Sequence, residues 1–361
     1  MMINRLKKIC EEKGLQGILI TDPYNLQYFT GFRGGEGYGL FTAGRGILYV
    51  DSRYTEAATL ECNAAGSGFT VTEFNREHPL MELLEQQLAE DFVREMGFED
   101  RSMVCSTYIS YKEKLKSVQM IPLEDSLVRE RRIKTPEELE LLKKAEAIGD
   151  RAFSEILSVL HVGMTELEVA AELEYRMKKA GAGGLSFDTI AASGIHSSMP
   201  HAIPSEKKLE EGDFLTMDFG CIYRGYCSDM TRTVVMGKAN EEQKKVYRTV
   251  LEAQTLAMEG LRPGMRCCDV DRIARDHIGE AGYGQYFGHG LGHSVGLYIH
   301  ESPALNTRDE TILEPGMIET IEPGIYIPGF GGVRIEDMGV VTEKGYQSFA
   351  SSPKELIEIE N

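Results

Sequence analysis

The chain has 361 residues, 42% of them apolar and 27% charged, an ordinary soluble composition with length enough for two domains of about 100 to 200 residues each. Its 39 basic and 57 acidic side chains leave a formal charge of −18, which argues against nucleic acid and anionic membranes as partners because their phosphates would be repelled. The opening MMINRLKKICEEKG holds no apolar run of signal-peptide length, and no window approaches a membrane span, so a cytoplasmic protein is expected.

In the first part of the chain, the short apolar runs QGILI, GLFTAGRGILYV and SMVC alternate with the amphipathic segments LMELLEQQLAEDFV and TYISYKEKLKSVQMI. This alternation predicts an α/β layer with a mixed sheet. The pattern changes at Thr135. There Thr135 reads as an N-cap, Pro136 as the first helical residue and Glu138 as the other arm of a capping box, so a long helix opens a second domain. Leu139, Leu142, Ala145, Ala152, Phe153, Ile156 and Leu160 supply its buried face. The seven cysteines are scattered, odd in number and without a Cys-x-x-Cys pair, which predicts reduced, mostly buried thiols.

The second domain repeats itself. LHVGMTELEVA (160–170) resembles LRPGMRCCDVD (261–271), each closing one helix and opening another through Gly-Met. Downstream, EEGDFLTMDFG (210–220) matches LEPGMIETIEPG (313–324), with Gly212 against Gly316 and Gly220 against Gly324. Two related halves are predicted, and their alignment superposes Asp218 on Glu322.

Asp218 interrupts the apolar run FLTMDFG, and Asp229 sits in GYCSDMTRTVVMG beyond a turn at Gly220–Gly225. A charge inside such a strand is costly unless paired or coordinated. The hairpin leaves open which faces the two carboxylates share, because the turn resets the register. Glu322 ends the strand MIETIE, and Glu336 lies in VRIEDMGVV. FGHGLGHSVGLYIHE (287–301) then places three histidines among four glycines, a composition that disfavours helix and permits close backbone approach. Four carboxylates gathered in apolar surroundings cannot stay ionised without cations, and two divalent ions match their charge. With His293 added, the oxygen-rich set Asp218, Asp229, Glu322 and Glu336 suits Mn²⁺, Co²⁺, Fe²⁺ or Zn²⁺. Two such ions would share a bridging water and make it reactive toward a carbonyl.

LTMDFG, YCSDMTRT, GHGLGH, ETIEPG and VRIED, in that order and spacing, resemble the motifs of the pita-bread metallopeptidases, in particular the aminopeptidase P and prolidase group. NLQYFTGF and VDSRYTEAA resemble that group's N-terminal creatinase-like domain. The resemblance implies an α/β (α+β) fold, with a creatinase-like domain over residues 1–130 and a pseudo-twofold pita-bread domain over 131–361. It implies a dinuclear centre in which Asp218 and the bridging Asp229 hold one metal, and His293, Glu322 and the bridging Glu336 the other, with Mn²⁺ the favoured ion. The implied reaction is hydrolysis of the bond between an N-terminal residue and proline, with metal-bridging hydroxide as nucleophile. His300 would stabilise the oxyanion, His201 would assist at the substrate amide, and Glu322 would shuttle a proton. His289 would form the proline pocket, with Tyr326 and Arg334 nearby. Structural roles for the last two compete: Tyr326 capping a strand, Arg334 neutralising Glu336 or Asp337. Peptides with proline second are the implied partners, and a homodimer the implied assembly.

Glu319 departs from the group's pattern, at a position where related sequences commonly carry an apolar residue. If it faces the site, it would alter substrate preference or metal affinity. Three rivals are less favoured. A metal-free creatinase reaction would leave the acids uncompensated, methionine aminopeptidases usually lack the N-terminal domain, and degenerate binding relatives typically lose ligands. Dipeptide versus longer-peptide preference stays open.

Overall fold

The computed structural model describes residues 2–360, which fall into two compact units divided after Arg131. No described helix is long and apolar enough to cross a membrane.

The first unit is built on six strands, β1 (Gly17–Ile20), β2 (Tyr38–Thr42), β3 (Arg45–Val50), β4 (Phe69–Glu73), β5 (Glu95–Phe98) and β6 (Gln119–Pro122), in the order β4-β3-β2-β1-β5-β6. The sheet is mixed, as predicted: β2 runs antiparallel to both β1 and β3, and the other pairs are parallel. GLFTAGRGILYV forms a hairpin, turning at Ala43 and Gly44, whose φ angles of 48° and 77° suit a tight two-residue reversal. SMVC is not a strand. The strand of that region is EMGF, where Gly97 lets Leu15 and Leu123 close over the backbone, whereas Val104 is exposed just before the helix Cys105–Lys114. Cys105 is likewise exposed, unlike the six other cysteines, and all seven are free thiols.

The second unit opens as expected with the helix Pro136–Ile156, capped by reciprocal bonds between Thr135 and Glu138. The sequence repeat is a repeat of hydrogen bonds. Gly163 N–H donates to Leu209 O at 2.9 Å, and Gly264 N–H to Leu313 O at 2.8 Å. Gly212 N–H donates to Met236 O at 2.7 Å, and Gly316 N–H to Val341 O at 2.8 Å. All four glycines have φ between 86° and 94°, where an L side chain is strained. The helices Pro136–Ile156 and Glu166–Lys179 cover one apolar core, and Glu241–Gly260 and Cys267–Glu280 cover another. The two halves therefore carry equivalent helix pairs, the pseudo-twofold arrangement that the repeat predicted.

Strand parity decides which side chains leave these cores. Leu215, Met217 and Phe219 of the strand Phe214–Phe219 enter the first core, so Asp218 points to the opposite face. Met230, Val234 and Met236 of the strand Met230–Met236 enter the same core. The strands are antiparallel with Asp218 opposite Thr231, so Asp229, two residues before Thr231, shares the face of Asp218. This resolves the register question the hairpin had left open. In the second half Met317 and Ile321 enter the other core, which puts Glu319 on the helix side and Glu322 on the open side.

Candidate metal centre and active site

The inward faces of the two halves border a cavity of about 540 Å³. Of the residues singled out in the sequence, His201, Asp218, Asp229, His289, His293, His300, Glu322, Arg334 and Glu336 line it. Tyr326 lies behind this wall: its hydroxyl is 2.9 Å from His289 Nε2 and accepts from Arg334 Nη1 at 2.8 Å. Glu319 does not border the cavity. It is fully buried, neither carboxylate oxygen has a hydrogen-bond partner among the described residues, and burial drives its pKa well above the usual carboxylate range.

Asp229, His293 and Glu336 bring one potential ligand atom each within 4.8 Å of one another. His293 Nε2 is 3.5 Å from Asp229 Oδ2 and 3.4 Å from Glu322 Oε1. The ring's other nitrogen, Nδ1, donates to the Ser294 carbonyl at 3.1 Å. Burial, reinforced by nearby His300, lowers the His293 pKa to about 4, so the ring is neutral at pH 7 and the Nε2 lone pair faces the carboxylates. Lone pair against carboxylate is repulsive unless a cation or proton lies between them. The acids show the same frustration. Burial first, then their mutual repulsion, pushes Asp229 and Glu336 well above the normal range, and burial pushes Glu322 up to about 7. Asp218 Oδ1 and Glu336 Oε1 are buried without a hydrogen-bond partner among the described residues. A first-row divalent cation of borderline hardness suits both the free oxygens and the histidine nitrogen.

The surrounding contacts hold this geometry. Glu336 is not inside one long strand, as VRIEDMGVV had suggested. The pairing breaks between Gly331–Arg334 and Asp337–Thr342, and the Glu336 N–H instead donates to Thr231 O at 3.1 Å. Thr231 Oγ1 donates to Glu336 Oε2 at 2.6 Å and accepts from Arg334 Nε at 3.0 Å. Arg334 Nη2 binds Asp218 Oδ2 at 2.6 Å, so Arg334 neutralises Asp218; Asp337 is taken by Arg232 and Lys354. His289 is neutral, its pKa lowered to about 4 by burial and by Arg334. His300 stacks edge-on to His293 with ring centroids 4.6 Å apart, and burial lowers its pKa as well.

The histidine segment is not helical. Gly292–Ser294 forms a short strand against Glu301–Leu305. A Cβ on Gly292 would meet the Thr320 carbonyl at 1.9 Å, so this glycine serves close approach to the strand bearing Glu322. Sequence reasoning passed over Thr231, and also Asp271 and Arg275, which fix this segment from behind. Asp271 accepts the Leu291 N–H, while Arg275 binds Asp271 and donates to the carbonyls of Phe287 and His289. An acid and an arginine four apart on a buried helix face were the available signal. Glu146, fully buried with Asp229's backbone beside it, was also missed; it interrupts the apolar face of the first helix.

A sequence profile described as Metallopeptidase family M24 matches residues 140–343, and one described as Creatinase/Prolidase N-terminal domain matches residues 2–133. The chain belongs to metallopeptidase family M24. It is 40% identical over 356 residues to the "Xaa-Pro dipeptidase" of Pyrococcus furiosus, covering 98% of this chain and 99% of that one. Among solved structures it resembles the Xaa-Pro dipeptidase from Bacillus anthracis, with TM-score 0.95, 42% identity and 99% of both chains covered. It also resembles the X-Pro aminopeptidase from Thermotoga maritima MSB8, with TM-score 0.90, 35% identity and 98% and 100% covered. As a member of M24 it is a divalent-metal peptidase.

Proposed function

We propose that this protein hydrolyses the peptide bond between an N-terminal residue and a proline in second position. Asp218, Asp229, His293, Glu322 and Glu336 would hold two divalent cations, Mn²⁺ in preference to Co²⁺, Fe²⁺ or Zn²⁺. The observation that carries this reading is the bare Nε2 of His293 aimed at the oxygens of Asp229 and Glu322, 3.5 and 3.4 Å away, beside the unpartnered oxygens of Asp218 and Glu336. When bound, paired cations supply Lewis-acid activation of water and of the scissile carbonyl.

The chain's own groups do the rest. Glu322, with its pKa near 7 in the metal-free protein, is suited to take a proton from the attacking water and pass it to the leaving proline nitrogen. His300, neutral at pH 7, can donate its N–H to the oxygen on which negative charge develops. His201 borders the same cavity and assists at the substrate amide. His289, held against Tyr326 and backed through it by Arg334, forms the wall for the proline ring. A proline bond calls for such a dedicated wall because the ring nitrogen carries no hydrogen for ordinary peptide recognition. We further propose a cytoplasmic homodimer; the seven free cysteines suit a reducing compartment.

The test is an assay of Mn²⁺-loaded protein with Ala-Pro, Ala-Pro-Ala and a methionyl peptide lacking proline. Turnover of the proline peptides alone is expected. Failure to cleave any of them despite bound metal would remove the reading.

A further inference from the structure

His201 differs from the other cavity histidines in how it is held. His289 and His293 each donate a ring N–H to a backbone carbonyl, and His300 stacks on His293. The exposed ring of His201 makes no hydrogen bond or ring contact among the described residues, so its place at the cavity follows from its backbone alone. That backbone, residues 194–204, is not fixed by apolar packing, because its large apolar side chains Ile195, Met199 and Ile203 are all exposed. Polar bonds fix it, and both its ends meet one carboxylate. Glu166 opens the helix Glu166–Lys179 and is 1% exposed. Its Oε1 accepts from Ser193 N–H at 2.8 Å and Ser193 Oγ at 2.9 Å, and its Oε2 from Ser205 Oγ at 2.7 Å and Ser205 N–H at 3.2 Å. His196 Nδ1 lies 3.1 Å from both oxygens. Burial alone would raise the Glu166 pKa, but the bonds from Ser205, Ser193 and His196 outweigh it and hold the carboxyl below its usual range. Between the two ends, Ser197 Oγ accepts the Gly332 N–H at 2.8 Å and Pro200 O accepts from Arg334 Nη1 at 3.3 Å. The second half holds its own histidine segment in a related way: Asp271, on the equivalent helix Cys267–Glu280, accepts the Leu291 N–H.

We infer that Glu166 is the positioning residue for His201, tying down both ends of its segment so that the ring meets the substrate amide. This rests on the Xaa-Pro reading, in which His201 acts at that amide. The polarity of the partners requires a carboxylate here. Lys207 Nζ donates to Ser193 Oγ at 2.9 Å, and Lys207 N–H donates to Ser205 Oγ at 3.1 Å. Each hydroxyl, already accepting, therefore turns its own hydrogen toward Glu166, as the two backbone N–H groups do. Every group that faces this carboxylate at the two serines is a donor. A glutamine in its place could accept at one end only, and at the other its NH₂ would leave a backbone N–H and a hydroxyl without an acceptor.

The experiment is a double-mutant cycle on the full-length, Mn²⁺-loaded protein with Ala-Pro-Ala, using E166Q, H201A and the pair together. E166Q is expected to lower kcat about 10- to 100-fold with KM within about 2-fold, the signature of a lost transition-state contact. In the H201A background the same change should cost less than about 2-fold, because the residue it positions is already gone. In the metal-free protein, E166Q should speed amide hydrogen exchange over residues 194–204 by at least about 10-fold and leave residues 287–301 unchanged. S205A, which removes one hydroxyl bond and keeps the carboxylate, should lower kcat about 3- to 10-fold, again only when His201 is present, and decides the matter if E166Q does not fold. An equal fold-loss with and without His201 would overturn the assignment, as would E166Q with unchanged kcat and exchange. No turnover by the unaltered protein would remove the Xaa-Pro reading and this one with it, whereas normal turnover with equal losses in the two backgrounds removes this one alone.

Discussion

In the first half of the M24 unit, Gly163 and Gly212 close their turns onto Leu209 and Met236; in the second, Gly264 and Gly316 close theirs onto Leu313 and Val341. The frames agree bond for bond, but their loads differ. The first half offers aspartates, Asp218 inside a strand paired over six residues and Asp229 immediately before its partner strand, in a short gap in the hairpin. The second offers glutamates, Glu322 and Glu336, one methylene longer, at the ends of strands where pairing gives out. It alone carries the histidine segment, held by Asp271 and Arg275. Duplicated backbone geometry thus explains why four acids converge. The departures from symmetry supply neutral donors and the recognition wall.

Removing an acid from either half tests that convergence. E336Q and D229N should each lower kcat by about 10³-fold or more at any Mn²⁺ concentration, since each replaces a carboxylate that would hold the cations with a neutral amide, and the cations would supply several kcal/mol of charge stabilisation. If one half tolerates the change, the two do not act as a pair. Thr231, the first-half hydroxyl that steadies Glu336 of the second, gives a smaller effect: T231V should weaken Mn²⁺ binding about 10- to 100-fold, read by titrating activity with metal, and saturating Mn²⁺ should restore most of the rate.

The pH dependence follows from the raised acids. In the metal-free protein, Asp229, Glu336 and Glu322 have folded pKa values above their unfolded ones, so the folded state binds the extra protons. Their contribution to stability is therefore present at low pH and is lost as pH rises through the folded pKa, about 7 for Glu322. Mn²⁺ replaces those protons, and the rise in Tm on adding it should be larger at pH 8 than at pH 5.5. The smallest effect belongs to the helix side of the same strand. E319L should keep kcat/KM within about 2-fold of the unaltered protein, with Tm equal or higher, because it removes a buried carboxyl that satisfies no hydrogen bond. A large loss of activity would mean that the two faces of this strand are coupled.

The acids were legible in the sequence because glycine spacing exposed the repeat and because a charge in an apolar strand is conspicuous. The position of Glu319 was legible in principle: an odd separation of three from Glu322 places them on opposite faces of one strand. Other features were not, because they join distant segments. Nothing local indicates that Arg334 meets Asp218, 116 residues earlier, or that Thr231 meets Glu336, 105 residues later. The misread SMVC shows the opposite limit, since four apolar or small residues form a strand only where neighbours cover them, and Val104 has no such cover.

Counting the metal ions tests the account most directly. Crystals of Mn²⁺-supplemented protein, measured at the manganese absorption edge, should show two anomalous peaks per chain. Asp218 and Asp229 should lie against one, His293 and Glu322 against the other, and a carboxylate oxygen of Glu336 should reach them. A single peak, or none with these carboxylates turned away from one another, would contradict it.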